Sequence, residues 1–155
     1  MQNSRSPTEK FDGLMIEGLL HMDRNEYQKA YDVFNKARLY FGAPINVKLE
    51  CYLAESLMKL ARYEEAKRIL EATMPNEIRD LDDQEKVYFL LGMIALRTSK
   101  SGEAISMFCK SRASTVIKRN ELYTSLSDAY ALMGRDERSL RYAMKAKNIR
   151  ESGSA

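Results

Sequence analysis

The chain has no tryptophan, one histidine, two cysteines and three prolines among its 155 residues. Each scarcity removes a class of function. Cys51 and Cys109 form no CxxC motif and no Cys/His grouping, so the spacing encodes no metal site. They read as small buried or half-buried thiols on helical stretches. His21 stands alone, and no glycine-rich phosphate loop is present. A standard catalytic constellation therefore cannot be assembled, and the expectation is a non-enzyme without a cofactor or metal. Few prolines and glycines leave long stretches unbroken. The longest uncharged run, Val87 to Leu96, is too short to span a bilayer. The start, Met1 to Pro7, lacks the apolar core of a signal peptide. These absences predict an intracellular protein, in cytoplasm or nucleus, without a membrane partner.

What is present is a repeat. A small residue on one apolar stretch is followed twelve residues later by a second small residue on another. The pairs are Gly18/Ala30, Ala54/Ala66, Gly92/Ala104 and Ser127/Ser139, and their first members are 36, 38 and 35 residues apart. That period marks an array of helical pairs, in which small residues let antiparallel helices approach closely. Eight helices in four pairs are predicted. Ser6-Pro7-x-Glu9 is a start signal for the first, and Asp23-Arg24-Asn25 turns the chain into the second. Gly42-Ala-Pro44 breaks it before the third, and Pro75 stops the fourth. Asp82 or Asp83 is the expected cap of the fifth. The seventh and eighth are expected from about Arg119 to Met133 and from Asp136 to Arg150.

The side chains around the small residues carry a resemblance. The third copy reads Tyr88-x2-Leu91-Gly92, then Ala104-x3-Phe108. The first reads Leu14-x2-Glu17-Gly18, then Ala30-x3-Phe34. The second reads Leu53-Ala54-x2-Leu57, then Ala66-x3-Leu70. The fourth reads Tyr123-x2-Leu126-Ser127-x2-Tyr130, then Ser139-x3-Ala143. This resembles the tetratricopeptide repeat (TPR), over roughly Phe11 to Ile149. The signature Trp is missing, and Glu17 stands where Leu is usual. The implied fold is an all-α TPR solenoid of about four helix-turn-helix repeats, near 11–42, 46–78, 84–115 and 119–150. They form one domain over 6–150 between flexible ends at 1–5 and 151–155.

The resemblance also implies where a partner binds: a concave face lined by the first helix of each pair. Helical geometry then points to Met15, Leu19 and Met22, to Met58 and Lys59, and to Phe89, Met93, Leu96 and Arg97. Cys51, Glu55, Thr124, Asp128 and Leu132 fall on the same face. An apolar, Met-rich surface suits an amphipathic helix, an extended apolar segment or a second copy of the chain. The alternative is that some of these side chains pack between repeats. TPR domains that clamp acidic chaperone tails place Lys and Asn where this chain has Met15, Leu19, Tyr52 and Leu90. Only Lys86 matches, which argues against such a partner. Within the family, the chain is similar to amino-terminal regions of TPR subunits of the anaphase-promoting complex, through Val47-x-x-Glu-Cys-x-Leu-Ala-Glu55 and Tyr63-x-Glu-Ala-x-x-Ile-Leu70. The expected role is a protein–protein scaffold or adaptor in a multiprotein assembly, as a homodimer or with another protein. A peptide-binding chaperone for secreted or assembly substrates is the first alternative.

Charge is uneven. Thirteen basic and 16 acidic residues give net −3 over 1–96, and twelve and six give +6 over 97–155. Arg135, Arg138, Arg141, Lys145, Lys147 and Arg150 gather at the end of the chain. They read first as a solvated helix face. A helical-repeat RNA binder is the second alternative, disfavoured because the basic residues do not recur in each copy.

Overall fold

A computed structural model describes residues 6–41, 45–111 and 115–153. Among them are eight α-helices and no strand: α1 (Pro7–Asp23), α2 (Tyr27–Phe41), α3 (Val47–Lys59), α4 (Tyr63–Ala72), α5 (Leu81–Arg97), α6 (Ser101–Lys110), α7 (Val116–Leu132) and α8 (Asp136–Gly153). A short 3-10 turn, Pro75–Glu77, stands before α5. The expected break at Gly42–Pro44 and the ends at 1–5 and 154–155 lie outside the described residues.

The first helix of every pair is started by a side chain. Ser6, Asn46, Asp80 and Thr115 accept the backbone N–H three residues on, at 3.0–3.2 Å. Two expectations are corrected here. Asp80, not Asp82 or Asp83, caps α5, because its carboxylate meets the Asp83 N–H. Thr115 lets α7 begin at Val116, three residues earlier than predicted. At the other end α8 continues past Arg150 to Gly153.

The second helices start differently, from a turn shared by all four pairs. Asn25, Ala61, Ser99 and Gly134 adopt positive φ, between 58° and 71°. Each lies seven residues after the small residue of its first helix. The next N–H in each case reaches back five residues, as from Glu26 to His21 O at 2.8 Å and from Arg135 to Tyr130 O at 2.9 Å. This is a Schellman motif, which satisfies the last carbonyls of one helix and launches the next within two residues. Alanine and serine are poor choices for a left-handed position. Ala61→Gly and Ser99→Gly should each raise stability by about 0.5–1 kcal/mol, read as a higher denaturation midpoint.

The chain forms two compact units, the first ending at Met74 and the second starting at Pro75. In the first, α1 packs on α2, α2 on α3 and α3 on α4; in the second, α5 packs on α6, α6 on α7 and α7 on α8. Ala30, Phe34, Ala37, Leu49 and Leu53 form the core of the first. Ala95, Ala104, Phe108, Leu122, Leu126, Ala129 and Tyr130 form that of the second. Glycine is required at two places in these cores. A Cβ on Gly18 would lie 2.3 Å from Cε1 of Phe34, and one on Gly92 would lie 2.4 Å from Cε1 of Phe108. The aromatic rings of α2 and α6 thus each rest on a glycine of the first helix of the pair. In the fourth pair the small residues meet directly: the Ser127 hydroxyl donates to Ser139 O at 2.8 Å.

Polar groups tie the pairs into each unit. Arg38 on α2 donates through Nε (3.1 Å) and Nη2 to the carboxylate of Glu50 on α3, which is nearly buried. Lys118 on α7 reaches Glu85 on α5 at 3.0 Å, and Ser111 donates to the Glu85 carbonyl at 3.3 Å. Cys51 is buried as expected, but Cys109 is exposed, because it lies on the outer side of α6 beside the buried Phe108.

Candidate interaction surface

The sequence-predicted surface residues divide between the two units. In the first, Met15 and Met22 pack part of their length against the Phe34 core. Met22 also accepts a hydrogen bond at Sδ from the Ser56 hydroxyl, 3.3 Å away on α3. Leu19 is 40 % exposed, Met58 is half-buried and Lys59 is exposed. In the second unit, Phe89, Met93 and Leu96 pack partly against the Phe108 core. The Phe89 and Phe108 rings are 5.8 Å apart. So several of these methionines and aromatics have two faces, one set in the core and one left open.

Three of them come together. Met93, Leu96 and Arg97 of α5 line an open hollow of about 480 Å³ with Ser125, Asp128, Ala131 and Leu132 of α7. Its floor is positioned by Ser125, whose hydroxyl lies 3.5 Å from Met93 Sδ. Its wall is Leu132, 64 % exposed. Arg97 and Asp128 add one charge of each sign at an otherwise apolar site. Phe89 is not part of it. It lines a separate hollow of about 80 Å³ with Glu85, Lys86, Ser111, Lys118 and Glu121. Sequence reasoning placed Asp128 and Leu132 on this face and missed Ser125 and Ala131, which the α7 helical spacing puts one turn away from them.

His21 has a packing and pairing role. Its Nδ1 lies 3.3 Å from Glu26 Oε1 across the first turn. Hydrogen bonds from Lys29 first, and His21 second, hold the Glu26 carboxyl below the usual carboxylate range. The basic residues of α8 are partly spoken for. Arg138 covers the Tyr130 ring at 5.7 Å, and Lys145 covers Tyr142 at 4.9 Å. Tyr130 and Tyr142 stack on each other at 5.6 Å, and burial raises the Tyr142 hydroxyl above its ordinary pKa. These ring faces are occupied by protein, which leaves little platform for nucleobases. Among the described residues no helix is long and apolar enough to cross a membrane, and no group of three acidic, His or Cys side chains could hold a metal.

No protein-family model matches the chain, and no curated protein does. Solved structures do. MamA from Desulfovibrio magneticus RS-1 superposes with a TM-score of 0.74 at 18% identity, over 94% of this chain and 78% of that one. MamA from AMB-1 gives 0.71 at 20% identity, over 92% and 80%. YrrB, described as a TPR protein with an unusual peptide-binding site, gives 0.67 at 23% identity, over 85% and 64%. The chain has the TPR fold. At these identities the likeness establishes an all-α helical-repeat solenoid and nothing finer. In TPR terms, α1, α3, α5 and α7 are first helices, and the α5/α7 hollow lies between first helices of adjacent TPR repeats. None of these three structures is a subunit of the anaphase-promoting complex, so that narrower resemblance gains no support from them.

Proposed function

We propose that the chain is a protein-interaction scaffold whose first-helix surface accepts an apolar helix or extended segment of a partner protein. The observation that carries this is the hollow between α5 and α7, with Met93, Leu96 and Leu132 around it and Ser125 at its floor. Its chemistry fits an apolar anchor flanked by hydrogen-bonding groups, as peptide grooves between helices require. Met93 supplies an adaptable wall, so several side-chain shapes can enter. In the first unit, Leu19, Met22, Met58 and Lys59 form the corresponding surface. YrrB, with its peptide-binding site, offers a precedent within the fold. A carboxylate-tail partner or RNA is disfavoured, because no cluster of cationic donors converges in the hollow.

Amphipathic helical peptides, screened by fluorescence polarisation, provide the test. Binders should lose at least about tenfold in affinity with Met93→Glu or Leu132→Glu, an energy of roughly 1.4 kcal/mol or more. Their affinity should change less than about threefold between low and high salt, since few phosphate-like contacts are made. Peptides or RNA whose binding survives both substitutions and collapses with salt would place the functional surface elsewhere.

A further inference from the structure

The hollow between α5 and α7 carries charges of opposite sign on its two sides. Gly92 and Ser127 hold the same place in their pairs, 35 residues apart, so Met93 shares its level with Asp128 and Arg97 shares its level with Leu132. Apolar side chains therefore lie on one diagonal and charges on the other. Leu96 and Ala131 stand between them, again at matching positions. Arg97 and Asp128 are both exposed. Among the described residues neither makes an ion pair or a side-chain hydrogen bond, with the other or with a third group. About two turns earlier the same signs recur. Lys86 of α5 and Glu121 of α7 line the smaller hollow, whose other two charges, Glu85 and Lys118, pair with each other at 3.0 Å. Asp82, about three turns before Met93, lines neither hollow. Around both hollows the α5 side is thus left positive and the α7 side negative.

We propose that the partner segment accepted by this hollow is an amphipathic helix laid across α5 and α7, with an acidic side chain over Arg97, apolar side chains over the centre and a basic side chain over Asp128. This rests on the scaffold reading above and adds to it the chemistry that selects the partner. The charges argue the occupant. An apolar anchor alone would strip water from Arg97 and Asp128 and give nothing in return. A segment with opposite charges at its two ends compensates both. One with like charges compensates one and opposes the other. The spacing argues for a helix. Axes of packed helices lie about 8–10 Å apart, and positions i and i+7 on one face of a helix lie about 10.5 Å apart. Positions i+3 and i+4 then fall between the charges, where an anchor fills the hollow. An extended segment covers that span in about three residues, and its alternation points the two ends to opposite faces.

Alanine-based peptides of about 18 residues, long enough to hold a helix in water, are the probes. Each carries Leu at i+3 and i+4. Positions i and i+7 carry Glu and Lys in either order, Glu twice, or Lys twice. Binding to the full chain is read by fluorescence polarisation at low salt. The tighter of the mixed peptides should bind at least about threefold better than either like-charged peptide, the size expected of exposed charge pairs. Arg97→Glu should move the preference to the Lys/Lys peptide, and Asp128→Lys should move it to the Glu/Glu peptide. Arg97→Glu with Asp128→Lys should restore it to a mixed one. Both positions are exposed, so circular dichroism should show the parent's helicity in every variant. Binding that Met93→Glu weakens, but that ranks the peptides alike or keeps one ranking in all variants, would overturn this inference and leave the scaffold reading standing. Peptides that do not bind, or whose binding survives Met93→Glu, would overturn both.

Discussion

Gly92→Ala is expected to cost about 2 kcal/mol, although alanine is the better helix former by roughly 1 kcal/mol. The added methyl would sit 2.4 Å from Cε1 and 2.5 Å from Cδ1 of Phe108. That ring is fully buried and flanked by Phe89, so it cannot swing away without disturbing α5 and α6. The chain itself suggests the compensation. Sixteen residues separate Gly18 from Phe34, Ala54 from Leu70 and Gly92 from Phe108: the larger residue on the first helix stands with the smaller one on the second. Gly92→Ala with Phe108→Leu, which copies the second pair, should lose at least about 1 kcal/mol less than the two single changes added together. Gly13→Ala, where the new methyl meets nothing, should gain about 0.5–1 kcal/mol. Urea unfolding of the parent chain and these four variants measures all of this. Strict additivity of the pair would mean that ring and glycine do not form one unit.

Arg38→Ala should be the next most damaging change, at about 2 kcal/mol. It leaves the Glu50 carboxylate, 9 % exposed, facing the α2–α3 interface without its bidentate donor. Complete burial would raise the penalty to roughly 3–5 kcal/mol, but the Arg38 side chain is 37 % exposed and water can replace part of what is lost. Arg38→Met with Glu50→Leu removes both charges and should return to within about 1 kcal/mol of the parent chain. If the single and double changes cost the same, the pair contributes packing and not charge compensation.

The periodicity of small residues revealed the eight helices and their pairing, because a small residue is needed where a facing helix comes close, as Phe34 does at Gly18 and Phe108 at Gly92. For the two glycines that neighbour is legible too, as the phenylalanine sixteen residues on. The turns were half visible. Asn25 and Gly134 are residues that accept a left-handed backbone, whereas Ala61 and Ser99 conceal the same geometry behind ordinary side chains. Three aspartates within four residues made the α5 cap ambiguous, since only the backbone path decides which carboxylate reaches an N–H. For the interaction surface, helical spacing placed Met93, Leu96 and Arg97 on one face. It could not tell that Phe89 lines a different hollow, because which residues of the packed segments surround each successive turn of α5 depends on tertiary packing.

The shared three-residue turns have a kinetic consequence. Each second helix is delivered onto its first by a motif closed within six residues, and the packing within each unit joins helices adjacent in the chain or nearly so. Little loop-closure entropy must be spent before burial begins, which places the chain among fast-folding, low-contact-order topologies. The first unit holds its own core and is complete at Met74. It can therefore close while the ribosome is still adding the second, so that the apolar faces of α1 to α4 are withdrawn from aggregation before α5 is made.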